Sequence, residues 1–145
     1  MATQAQYVAQ PIVDVAQVTA ANTARDGTGT IVTVASGPTT APGSGVGKRI
    51  TRVTITRGMA TGASAATVVC LFYSPDNGTT NRLIAEVVVP AYTASTTAAQ
   101  TVVEIPSLIG FVIPGAATNA PCIRASTQVA QTTTPLNVII ESGLF

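Results

Sequence analysis

Residues 65–89 read AATVVCLFYSPDNGTTNRLIAEVVV, and this stretch decides the fold class. Residues 65–73 form a near-continuous apolar run, which is typical of a strand buried on both faces. The segment Ser74-Pro75-Asp76-Asn77-Gly78-Thr79-Thr80 follows it. Proline presets φ and Asn-Gly tolerates positive φ, so this segment is a strong turn signal. The pattern predicts a β-hairpin that joins residues 65–73 to residues 81–89.

The rest of the chain has the same sequence pattern, in which short predicted strands are separated by frequent turns. Thr and Val are abundant, and both favour strands, whereas no helix-period pattern of useful length is present. Further strands are predicted at residues 30–35, 49–57, 98–105, 108–113, 122–129 and 136–141. About eight strands at this spacing predict an all-β, single-domain antiparallel β-sandwich with jelly-roll-like connectivity.

The first 22 residues contain no glycine and differ from the body of the chain. We expect residues 1–22 to form an extended N-terminal arm and residues 23–145 to form the sandwich domain. Two alternatives fit the arm: a first strand of the same domain, or a strap across a neighbouring subunit, because sheet edges accept such strands. Its candidate contact residues are Tyr7, Val8, Ile12, Val13 and Val15.

The strand predicted at residues 49–57 contains most of the basic cluster of the chain, which consists of Lys48, Arg49, Arg52 and Arg57. Strict alternation places Arg49 and Arg57 on one side and Arg52 on the other. Two interpretations remain open. The residues are either ordinary solvated strand ends or a contact with an acidic patch on a partner protein.

The side chains needed for most enzyme chemistry are missing. The chain has no histidine, which excludes Ser-His-Asp and Cys-His sites. Cys70 and Cys122 lack the spacing of a zinc site, and we expect them to be buried apolar side chains, although their pairing stays open. We therefore predict no catalytic, cofactor or metal site, and a protein that is not an enzyme.

Composition narrows the class of partner. Hydrophobic residues make up 46% of the chain, charged residues only 9%, and the net charge is +1. So few charges suit a protein that works packed against neighbouring proteins. The near-zero net charge gives no reason to expect nucleic acid or an anionic membrane as a partner. The N-terminus lacks a signal-peptide pattern, and no apolar run has the length of a membrane helix.

Several segments resemble a family of small virion proteins of tailed bacteriophages. The similarity covers roughly residues 22–145 and consists of turn and strand patterns. The segments that carry it are residues 22–30, with the Arg-Asp-Gly-Thr-Gly turn, 49–55, 71–74, 81–87, 123–128 and 137–143. The family ends in Gly-Asp-Phe, whereas this chain ends in Gly143-Leu144-Phe145.

The resemblance implies a capsid decoration, or cement, protein. Such a protein is a β-sandwich that binds the outside of the assembled major capsid protein lattice and stabilises the head, commonly as a homotrimer. We expect it to be made in the host cytoplasm and located on the virion, with no small-molecule substrate. The alternative is a receptor- or glycan-binding module of a head or tail fibre, for which Tyr73, Tyr92 and Phe111 offer few aromatic contacts.

Overall fold

The computed structural model describes residues 10–39, 47–58 and 62–145. Tyr7 and Val8 of the predicted arm lie outside the described residues. Eleven strands and one 3₁₀ turn are present in the described chain. Their bounds are β1 Gln10–Val18, β2 Val32–Ser36, β3 Gly47–Arg57, β4 Ala63–Ser64, β5 Thr67–Ser74, β6 Arg82–Val89, β7 Tyr92–Thr93, β8 Val103–Glu104, the 3₁₀ turn Pro106–Leu108, β9 Val112–Pro114, β10 Cys122–Thr127 and β11 Leu136–Leu144.

Two antiparallel sheets pack against each other, which confirms the predicted all-β sandwich. Sheet A has five strands in the order β1-β11-β3-β8, with β9 also paired to β3. Sheet B has four strands in the order β2-β10-β5-β6, and β4 and β7 form a separate two-stranded ribbon. This order is compatible with jelly-roll connectivity, and that finer assignment stays a prediction.

One continuous core lies between the two sheets. It forms because alternate residues of each strand point to the facing sheet, as expected for a sandwich. Sheet A contributes Ile50, Val53, Ile55, Val138 and Ile140, and sheet B contributes Val34, Val69, Leu71, Ile123 and Ala125.

The predicted hairpin is confirmed. Strands β5 and β6 pair antiparallel, and the turn between them places Asn77 at φ 57° and Gly78 at φ 98°. The Asp76 carboxylate accepts hydrogen bonds from the Thr80 backbone N–H (2.7 Å) and the Ser74 hydroxyl (2.9 Å). The turn is therefore held by its own side chains, as the sequence pattern indicated.

The described part of the N-terminal arm follows the first of its two alternatives. Strand β1 pairs with β11 along all nine of its residues, from Gln10 opposite Leu144 to Val18 opposite Leu136. It is the edge strand of sheet A in its own domain, and only Val18 of its residues is fully buried.

Two predicted strands are largely wrong. Of residues 98–105, only Val103–Glu104 is a strand, because the Gln100 side chain, rather than a continuing strand, binds the backbone N–H and C=O of Arg57. Residues 108–113 give way to the turn Pro106–Leu108 and a short strand, Val112–Pro114. Gly110, at φ 87°, breaks the extended path between them. The ribbon of β4 and β7 is not predicted from the sequence.

Candidate protein-interaction face

A β-bulge in β3 decides where the basic residues point. Opposite β11, Glu141 pairs with Arg52 and Ser142 pairs with Ile50, which leaves Thr51 without a partner. One extra residue reverses the alternation of side chains on its two sides. Arg49 and Arg52 are consequently both exposed, so the predicted separation of these two residues is wrong.

Arg57 points into the sandwich and is only 5% exposed. Its guanidinium donates hydrogen bonds to Gln131 Oε1 (2.8 Å), the Pro90 carbonyl (2.7 Å) and the Ala65 carbonyl (3.0 Å). All three acceptors are uncharged, and desolvation lowers the pKa of Arg57. The structure therefore places this predicted contact residue inside its own domain, where it joins three loops.

Lys48 also points inward, with 8% of the residue exposed. Its Nζ atom lies 2.9 Å from Oδ2 of Asp14, so the pair connects β3 to the edge strand β1 across β11. Ile12, Asp14 and Lys48 line one wall of an open cleft of about 520 Å³ between the sheets. Because Asp14 neutralises Lys48, this pair brings no net charge to the cleft.

The remaining predicted residues lie together on the outer surface of sheet A. Strands β1 and β3 both flank β11, so Val13 and Arg52 stand opposite the same residue, Glu141. Two strand spacings separate them, a distance of about 10 Å. Val15 stands opposite Ile139 on the same surface. The exposed residues of the two segments that the sequence suggested as contact sites, the N-terminal arm and the basic strand, therefore lie on one face.

We call this surface the sheet A face and define it by Val13, Val15, Arg49, Arg52, Thr54, Glu104, Ile139 and Glu141. Val13 is 63% exposed and Val15 is 56% exposed. They lie on a regular strand, and Ile139 beside them is half-buried. The face thus presents a fixed apolar stripe at the edge of the sheet.

Charged side chains border the stripe. The Arg52 guanidinium lies 2.6 Å from Glu104 Oε1 and 3.9 Å from Glu141 Oε1. The hydrogen bond and charge of Glu104 raise the pKa of Arg52. Within the part of the chain that the structure describes, Arg49 forms no ion pair. An apolar stripe with a charged border is suited to binding another protein surface.

One segment behind the family resemblance, the loop that contains the Arg-Asp-Gly-Thr-Gly turn, has a different location, on the outside of sheet B. Residues 22–31 cross that sheet and, through Ile31, cover Cys70 and Phe72. The Asn22 amide donates to the carbonyls of Thr28 (2.8 Å) and Thr30 (3.1 Å) and so closes the loop on itself.

The same covering loop is joined to the hairpin end of sheet B. Arg25 forms an ion pair with Glu86, and the Asn81 amide donates to the Gly27 carbonyl (3.0 Å). The Arg124 guanidinium reaches the carbonyls of Ile31 (2.6 Å) and Gly78 (3.1 Å). These contacts give the Arg-Asp-Gly-Thr-Gly motif a structural role in covering the sheet, and no ligand is needed to explain it.

The aromatic residues considered for a glycan site make contacts with other residues of their own domain. Tyr73 and Phe111 pack edge-to-face at 5.4 Å between ring centroids, and both are half-buried against the core. The Tyr92 hydroxyl donates to the Ala98 carbonyl (2.7 Å). These three side chains do not converge on one open platform.

Across residues 10–39, 47–58 and 62–145, no group of three His, Cys, Asp or Glu side chains is placed to hold a metal ion. No helix in those same ranges has the length and apolar character needed to cross a membrane.

Comparisons with protein families, with curated proteins and with solved structures found no match for this chain.

Proposed function

We propose that this chain is a bacteriophage capsid decoration protein that binds the outside of the assembled major capsid protein lattice through its sheet A face. The observation that supports the proposal most is the exposure of Val13 and Val15 on a regular edge strand. Exposed apolar area is unfavourable in an isolated domain, and its burial against a partner is favourable. The role is adhesion and includes no catalytic step.

Burial of these valines supplies affinity. Covering a mostly exposed valine side chain contributes about 1–2 kcal/mol. Arg49, Arg52, Glu104 and Glu141 at the border then orient the contact, because charge pairs at a rim act on specificity and association rate more than on affinity.

Stabilisation of the head follows from linkage. A protein that binds the assembled lattice and not the loose subunits favours the assembled state. Self-association, for which a homotrimer is the expected form, lets several weak contacts act together through effective concentration. A single apolar stripe on each copy is then sufficient.

A matched pair of substitutions tests the proposal. Val13 on sheet A and Val88 on sheet B are both 63% exposed and both lie on edge strands. Val13→Lys places a charge opposite Glu141, where the isolated fold tolerates it. We expect Val13→Lys to weaken binding to phage heads that lack this protein by about tenfold or more, and Val88→Lys to bind like the unchanged chain.

Two outcomes would overturn the proposal. One is that the unchanged protein does not bind heads by co-sedimentation, and the other is that both lysine variants bind equally. Binding of the isolated protein to a glycan array, without binding to heads, would instead favour the receptor- or glycan-binding alternative.

A further inference from the structure

Among the described residues, the end of the sandwich where β10 stops and β11 begins carries no exposed charged side chain. We call it the neutral end and define it by the described residues 19–21, 62–66, 90–102 and 128–135. All thirteen Asp, Glu, Lys and Arg residues of the chain lie outside these segments. Arg57, which reaches into this end from β3, is buried.

Hydrogen bonds show that the four segments form one surface. Arg57 binds Ala65, Pro90 and Gln131, and the Gln131 backbone N–H donates to the Thr19 carbonyl (2.8 Å). The neutral end therefore consists of segments that are distant in the sequence and are connected by hydrogen bonds to the buried Arg57 and to Gln131.

The composition of this surface is unusual. Twenty of its residues are exposed, and all of them are Ala, Thr, Ser, Gly, Pro or Val. Val102 and Val129 are among them, at 49% and 42% exposed. A standard protein interface uses about 20–30 residues on each side, and its centre is depleted of charge. The neutral end matches both properties.

We propose that the neutral end is the surface through which copies of this chain associate with one another. In a contact related by a two-fold axis, residues near the axis face their own counterparts, so an exposed charge there would face a like charge. A contact with a different protein has no such restriction and gains from opposite charges. The neutral end meets the condition for self-contact, whereas the sheet A face, with charges of both signs, is suited to another partner.

This inference rests on the self-association included in the proposed function and names its surface. It is tested without phage heads, so its failure is distinguishable from a failure of head binding by the sheet A face. The test variant is Ala99→Glu combined with Thr133→Glu, two exposed positions of the neutral end. The matched control is Ala117→Glu combined with Thr118→Glu, which makes the same replacements at exposed positions in the loop between β9 and β10. The measurement is sedimentation velocity of the purified full chain over a wide range of concentrations.

We expect the unchanged chain and the control to sediment as a multiple of the 14.6 kDa protomer. The dissociation constant for self-association of the test variant is expected to be higher by about tenfold or more, because its new carboxylates would be buried in the contact between copies. A monomeric unchanged chain overturns the inference, as does a test variant that associates like the control. Circular dichroism checks that both variants are folded, and Thr133→Glu alone replaces the double variant if that one is not.

Discussion

The Nη1 atom of Arg57 lies 2.8 Å from Oε1 of Gln131, and both side chains are buried. Gln131 also accepts a hydrogen bond from the Thr134 hydroxyl (3.3 Å). The Gln100 side-chain amide accepts a hydrogen bond from the Arg57 backbone N–H and donates one to the Arg57 carbonyl. One arginine therefore holds the loops at the neutral end in register with β3.

Replacement of Arg57 by methionine is expected to lower the free energy of unfolding by about 2–4 kcal/mol. The change keeps much of the side-chain volume but removes the Arg57 donor from the Pro90 carbonyl, and it leaves the Ala65 carbonyl and the Gln131 amide oxygen with only longer hydrogen bonds, of 3.4 Å and 3.3 Å. Buried acceptors that lose their partner carry a desolvation penalty. Urea denaturation followed by circular dichroism measures the effect.

The control for that experiment is Arg52→Met on the same strand. Arg52 is exposed and forms its ion pairs at the surface, where such pairs contribute less than about 1 kcal/mol. A loss of stability as large for Arg52→Met as for Arg57→Met would contradict the structural role assigned to Arg57.

Gly27→Ala is expected to destabilise the protein more than Gly62→Ala does. The two glycines have nearly the same backbone, at φ 89° and φ 93°. A Cβ atom on Gly27 would lie 2.3 Å from the Asn81 carbonyl oxygen, whereas a Cβ atom on Gly62 meets none of the described residues within 4 Å.

Gly62→Ala therefore carries only the strain of a left-handed alanine, about 1–2 kcal/mol. Gly27→Ala adds a backbone clash that must separate the covering loop from the hairpin. Thermal melting points of the two variants provide the comparison, and equal melting points would show that the contact between Gly27 and Asn81 is not needed.

The free energy of unfolding is expected to be nearly constant between about pH 5 and pH 8 and to decrease at lower pH. The chain has no histidine, the side chain that ordinarily titrates in that interval. Hydrogen bonds from Thr80 lower the pKa of Asp76 below its ordinary value of 3.8, and the hydrogen bond from Arg25 lowers that of Glu86 below 4.5.

A lowered carboxyl pKa stabilises the folded state above the ordinary pKa, and this stabilisation is lost as the pH falls through the folded value. Urea midpoints measured at about pH 7 and about pH 3 test this. We expect the acid loss to be smaller in Asp76→Asn, because that side chain no longer titrates. A full acid loss in this variant, or a transition between pH 5 and 8, would contradict the assignment.

Neither cysteine is expected to react with a thiol reagent while the protein is folded. Cys70 and Cys122 are free and buried, and burial raises the pKa of both thiols. A thiolate is the reactive form, so reaction should begin only after unfolding and then consume both thiols. A reducing agent should leave the melting temperature unchanged. Rapid labelling of the native protein would show that the covering loop over Cys70 opens.

Local patterns in the sequence were sufficient for the hairpin and for most strands. The Pro75-Asp76-Asn77-Gly78 turn was predictable because its conformation depends on its own residues. Strands β2, β3, β5, β6, β10 and β11 were found within a few residues because β-branched and apolar side chains mark them. Residues 98–102 were predicted as part of a strand because Thr101 and Val102 favour one, whereas the Gln100 side chain contacts the backbone of Arg57 in place of strand pairing.

The sequence by itself determined an all-β chain, its main turns, its lack of charge and the two segments suspected of binding. Only the tertiary structure decided which basic residues are available, because the bulge at Thr51 arises from pairing with β11. In the folded chain Lys48 and Arg57 point inward, whereas Arg49 and Arg52 are exposed. Val13 and Val15 lie on the same sheet A face as these two exposed arginines. Alternation along a strand is a local property, whereas register and bulges depend on partner strands that are far away in the sequence.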